Sequence, residues 1–122
     1  MSEASEQAAL MQFAALYQAQ IPELAWLHHI PNGGRRDKVT AVQLKAQGVK
    51  TGVWDLFLPV PRNGKAGLYI EMKWGDNDLT KEQRAFRAFV EPHYATEVCY
   101  SWQHAATVLL AYLGYNPARY LQ

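Results

Sequence analysis

Cysteine is nearly absent from this 122-residue chain, where Cys99 stands alone. A single thiol allows no intramolecular disulfide and excludes a cysteine-built zinc site. Set in the β-like run EVCYS, it reads as a buried, inert side chain. Long apolar runs are also missing, so no membrane-spanning segment is expected. The opening MSEASEQ has neither a basic start nor an apolar stretch behind it, which points to a cytoplasmic protein. Net charge is scarce as well, at +1, so no global attraction draws the molecule to a polyanion. Repeats and linkers are absent, and the length suits one domain over residues 1–122, with a tail from about 115 to 122.

The charge that exists is unevenly spread. No Lys or Arg occurs in the first 34 residues; Arg35, Arg36, Lys38, Lys45 and Lys50 then stand against the single acid Asp37. They follow the turn-forming PNGG, whose glycines let main-chain N–H groups approach an anion. Asn32, Gly33, Gly34 and Arg35, with the basic residues beyond them, are therefore a candidate phosphate-facing surface. The competing reading is an ordinary turn followed by a solvated helix face.

Periodicity predicts a helix from about Glu3 to Gln20, with Leu10, Phe13, Leu16 and Tyr17 as its apolar stripe. Glu6 lies in line with that stripe, either complementing the helix dipole or reaching inward to a metal. Pro22 ends the helix, and LAWLHHI reads as a short strand. A second helix is expected from about Lys38 to Gln47, stopped at Gly48. VWDLFLPV and LYIEMKW read as hairpin strands joined through Asn63-Gly64, a strong turn dipeptide. Thr80 and Gln83 have capping-box spacing at the head of a helix over LTKEQRAFRAFV. ATEVCYS follows as a strand, then a helix that Ser101 caps and Gly114 closes. The result is a mixed α/β domain.

Within this order, Gly48 to Gln83 carries the chemistry. Glu71 and Lys73 are two apart on one strand and share a face. Hairpin pairing can set Asp55 beside Glu71. Two charges on a strand flanked by Leu68, Tyr69, Ile70, Met72 and Trp74 are costly unless something uses them. Two carboxylates, with the Met72 main-chain carbonyl as a third oxygen, suit magnesium, and Lys73 can act on an attacking water. The plainer reading is the outward face of an amphipathic strand.

The segments HHIPNGG, LKAQGVKTGVWDLFL, GLYIEMKW and LTKEQ resemble, in order and spacing, the VRR-NUC nuclease domains of the PD-(D/E)xK, restriction-endonuclease-like superfamily. The resemblance implies a mixed β-sheet flanked by helices and a Mg2+- or Mn2+-dependent DNA nuclease. By position, Asp55, Glu71 and Lys73 match the catalytic triplet, Gln83 the downstream glutamine, and Glu6 the N-terminal helical acid. His29 also matches a family position and could touch DNA. Trp54 departs from the pattern, because the family usually has proline there; altered packing is the expected consequence.

Small stand-alone members of this family are implied to be homodimers acting on branched DNA such as Holliday junctions. The alternatives are a nuclease for flap, duplex or single-stranded DNA, or a non-catalytic DNA-binding module of the same fold. Adjacent His28 and His29 point to opposite faces of a strand and cannot chelate one ion together. Asp76 and Asp78 read as loop residues.

Overall fold

A computed structural model describes residues 1–32 and 37–121. Four α-helices, α1 (Glu3–Tyr17), α2 (Lys38–Ala46), α3 (Lys81–Val90) and α4 (Trp102–Leu113), accompany four strands. The strands are β1 (His28–His29), β2 (Leu56–Leu58), β3 (Leu68–Met72) and β4 (Ala95–Cys99), and they form one sheet in the order β1-β2-β3-β4. β1 and β3 run antiparallel to β2, while β4 is parallel to β3. A parallel neighbour requires a crossover connection, and α3 supplies it. This is the mixed α/β arrangement, a sheet flanked by helices, expected from the sequence.

Local chemistry explains most of the boundaries. Asn63 and Gly64 both take positive φ, 55° and 77°, as the tight turn between β2 and β3 requires. Thr80 and Gln83 form the reciprocal capping box at the head of α3. Ser101 caps α4, and Gly114 ends it in the left-handed region.

Two expectations change. The run LAWLHHI is not a strand along its length: Pro22–Trp26 is a 3₁₀ helix, and only His28 and His29 pair with β2. Ile21, Leu24 and Leu27 are all buried, a period of three that matches the three residues per turn of a 3₁₀ helix. Proline at its first position presets the required φ. In α1, Leu16 faces solvent and Ala14 takes its place beside Leu10 and Phe13. Position 14 lies one turn beyond Leu10, whereas position 16 falls to the side.

The main core fills the space between one sheet face and the pair α1 and α4. Leu56, Leu58, Leu68, Ile70, Met72 and Cys99 meet Leu10, Phe13, Leu109 and Leu110 there. The tail docks as expected, with Tyr115, Tyr120 and Leu121 packed against this cluster. The other sheet face carries Tyr69, whose ring stacks edge-on against Phe86 of α3 at 5.0 Å. α3 therefore covers the face on which Glu71 stands. Among the described residues, no helix is long and apolar enough to cross a membrane.

Candidate active site

The β2–β3 ladder decides the position of the two acids. Its last pair is Leu56 with Ile70, so Asp55 and Glu71 fall opposite each other one step further on. There the main-chain ladder gives way to side chains. Glu71 Oε1 accepts from the Asp55 N–H at 3.1 Å, and Asp55 Oδ2 accepts from the Met72 N–H at 3.1 Å. Each carboxylate thus grips the other strand's backbone, and the pair is held before any ligand arrives. Lys73 continues the parallel side, its N–H donating to the Cys99 carbonyl at 2.9 Å. Its Nζ lies 3.6 Å from Glu71 Oε2.

Gln83 reaches the site from the first turn of α3. Its Nε2 donates to Glu71 Oε2 at 2.9 Å, while its Oε1 accepts from the Thr80 N–H at 2.9 Å. The capping box therefore fixes which end of the amide faces the carboxylate. The main chain of Gln83 is held too, because the indole N–H of Trp54 donates to its carbonyl at 3.0 Å. Trp54 is fully buried, and the Arg87 guanidinium lies 5.5 Å from its ring centroid. Gly52 completes the seat: it has φ of +96°, and a Cβ there would meet the Glu82 carbonyl at 2.8 Å. The loop before Asp55 and the start of α3 are thereby fitted to each other.

Burial sets the electrostatics. Glu71 is 2% exposed and Lys73 7%. The Glu71 carboxyl is pushed up to about 8, first by burial and then by the charge of Asp55, with Lys73 pulling the other way. Two facing carboxylates in a desolvated site favour a proton or a cation between them. Cys99 is buried, and its thiol is driven up to about 12, chiefly by desolvation. It is a poor nucleophile there.

The remaining candidates are divided. Glu6 is buried, and its Oε1 accepts from the Trp102 N–H at 3.0 Å, holding the first turn of α4. Among the described residues, no three His, Cys, Asp or Glu side chains lie grouped as for a metal ion, so Asp55 and Glu71 form a pair without a third acid. Asn32 is tied to the acids: its Nδ2 donates to Asp55 Oδ1 at 2.9 Å and to the Val53 carbonyl at 3.3 Å. The Nδ1 of His29 lies 2.9 Å from the Asp55 carbonyl. Since that oxygen only accepts, Nδ1 carries the proton. Lys38 and Lys45 are exposed on α2, and Lys50 is exposed in the loop after it. Gly33, Gly34, Arg35 and Arg36 lie outside the described residues.

Trp54 and Gly52 are the members of this framework whose roles the sequence does not disclose. The apolar-looking Trp54 sits beside a charged motif, and only its indole N–H signals a need for a partner. Asp78, expected in a loop, is there: it accepts from the Leu79 N–H at 2.7 Å and pairs with Arg84 at 2.9 Å. A cleft of about 570 Å3 between α1, α4 and the tail is lined by Phe13, Tyr17, Trp102 and Tyr120. It includes neither of the two facing acids.

Comparison with known proteins agrees with this fold. A solved structure described as a VRR_NUC domain protein superposes with a TM-score of 0.74 at 24% identity, covering 93% of this chain and 88% of that one. At that identity the likeness speaks for the fold. No curated protein matches the chain. The family model for the VRR-NUC domain matches residues 1–103, a span that includes Glu6, Asp55, Glu71, Lys73 and Gln83. The chain belongs to the VRR-NUC domain family and is a nuclease-type, DNA-processing domain.

Proposed function

We propose that this domain is a Mg2+- or Mn2+-dependent, structure-selective endodeoxyribonuclease that hydrolyses phosphodiester bonds in branched DNA, four-way junctions included, as a homodimer. The observation that carries this reading is the convergence of Asp55, Glu71, Lys73 and Gln83 at the carboxyl end of β3. The donor set fits a hard divalent cation, because the buried Glu71 carboxylate faces the half-buried Asp55 carboxylate and Glu71 holds a proton unusually tightly. Magnesium is commonly held by one or two carboxylates, with waters and substrate phosphate completing its shell. When bound, such a cation makes water a competent nucleophile near neutral pH and offsets charge on the attacked phosphate.

Asp55 and Glu71 would hold the cation, with the Met72 main-chain carbonyl as the third protein oxygen. Each carboxylate already has one hydrogen-bond donor on each oxygen, which leaves further lone pairs for a cation. Lys73 orients or deprotonates the attacking water and compensates charge in the transition state. Gln83 keeps the Glu71 carboxylate from rotating. Glu6 supports the site through its hold on the first turn of α4. His29, Asn32 and the basic residues from Arg35 to Lys50 would meet the DNA backbone, with Asn32 also supporting Asp55.

The homodimer is supported by α2, which buries none of its side chains and exposes Val39 and Val42. Two symmetry-related sites also match a substrate with opposed strands to cut. The test is a panel of junction, flap, duplex and single-stranded DNA with Mg2+, Mn2+ or EDTA. Cleavage should favour the junction, require metal, and fall at least about a hundredfold in Lys73→Ala and Asp55→Asn. Undiminished cleavage by either variant would remove the site assignment, and equal rates on all substrates would remove the structural selectivity.

A further inference from the structure

Apolar side chains around the acids are buried, Trp54, Met72, Leu79 and Cys99 among them. Two large aromatics at the same end of the sheet are not: Trp74 is 38% exposed and Tyr100 42%. Trp74 follows Lys73 directly, and Tyr100 follows Cys99, the residue whose carbonyl receives the Lys73 N–H. Both therefore stand one residue beyond the last bond of the β3–β4 ladder, at the lip of the sheet end that carries Glu71 and Lys73. We propose that Trp74 and Tyr100 form a stacking platform for unpaired nucleobases next to the scissile phosphate. The inference deepens the nuclease reading and rests on it.

The lip is preorganised. The Asn77 N–H donates to the Trp74 carbonyl at 3.1 Å, and Gly75 takes the φ of +60° that this tight turn needs. The Tyr100 hydroxyl donates to the Asn77 carbonyl at 3.1 Å. Both aromatics are thus linked through one turn, with the Tyr100 hydroxyl occupied and its ring held in place. Neither side chain carries a positive charge, so neither attracts phosphate. What they offer is aromatic surface, which every nucleobase can stack on whatever its sequence. A paired base inside a duplex has no free face to present; a base at a branch point or bulge has. The platform would thereby contribute selection for branched substrates at the site itself.

The experiment uses a duplex carrying 2-aminopurine in an unpaired bulge, and a fully paired version, titrated in calcium with the full-length protein. Cleavage is followed separately in magnesium and manganese. Wild-type protein should quench the bulged probe, and Trp74→Ala or Tyr100→Ala should lose the quenching and bind that probe about tenfold more weakly. Affinity for the paired duplex should change less than about twofold, and Trp74→Phe and Tyr100→Phe should restore the effect. No quenching by wild-type protein, or equal losses on both probes, overturns the platform. So does a mass by light scattering that falls from dimer to monomer in Trp74→Ala, which would make these rings a subunit contact. Failure of the nuclease reading looks different: quenching would persist while no metal supported cleavage.

Discussion

Glu71→Gln should change how the metal-free protein responds to pH. Burial and the charge of Asp55 raise the Glu71 carboxyl from an ordinary 4.5 to about 8. Below pH 4.5 the group is protonated in both folded and unfolded chains, and its contribution is fully present. Between 4.5 and about 8 the unfolded chain gives up the proton while the folded one keeps it. The folded state then binds more protons, so stability falls as pH rises and levels off above 8. The whole span corresponds to a ceiling of about 5 kcal/mol. A loss of roughly 2–3 kcal/mol, about half of that ceiling, is expected. For a domain of this size that is on the order of 10 °C in Tm.

The assay is a series of thermal melts from pH 5 to 9 in EDTA, comparing wild type with Glu71→Gln. The amide cannot titrate, so the difference between the two proteins isolates residue 71 from every other ionisable group. Their Tm difference should shift steadily against wild type as pH rises. Added Mg2+ or Mn2+ should reverse the trend for wild type alone, more strongly at pH 8.5 than at pH 6, because the cation competes with the proton. A Tm difference flat across this range would refute the assignment of Glu71 as a buried, proton-holding carboxylate.

Three further outcomes follow from the framework around the acids. Gln83→Ala removes the donor to Glu71 Oε2 and half of the capping box; stability should drop about 1–3 kcal/mol in urea titration, and metal affinity measured by calorimetry should weaken. Trp54→Phe keeps most of the buried volume but deletes the N–H that holds the Gln83 carbonyl. It should cost about 1–2 kcal/mol, with kcat reduced and KM nearly unchanged, since DNA contacts are untouched. Gly52→Ala forces a side chain into a positive-φ position against the Glu82 backbone; denaturation should show a loss above about 2 kcal/mol, or no folded protein.

The motif series Asp55, Glu71, Lys73 and Gln83 was legible because each member belongs to a short pattern with its own local logic. Strand alternation placed Glu71 and Lys73 on one face, the Asn63-Gly64 turn brought Asp55 across from Glu71, and the capping box put Gln83 in the first turn of α3. The segment before β1 was less legible, since a short, largely apolar segment such as LAWLHHI can serve as strand or helix. Its period of three, in Ile21, Leu24 and Leu27, was the available signal. Asn32 was legible as part of a polar turn, but its bond to Asp55 was not.

By itself, the sequence determined the α/β class, the hairpin and the helix caps, because those depend chiefly on interactions spanning a few residues. Tertiary structure decided how the site is supported. Trp54 reaches the Gln83 carbonyl 29 residues away, and Glu6 reaches the Trp102 N–H across 96. Such bonds from a side chain to a distant backbone leave no periodic trace, since the partner is a main-chain group that every residue carries. The burial that raises the Glu71 carboxyl is likewise a property of α3 lying over the sheet, not of the strand that contains it.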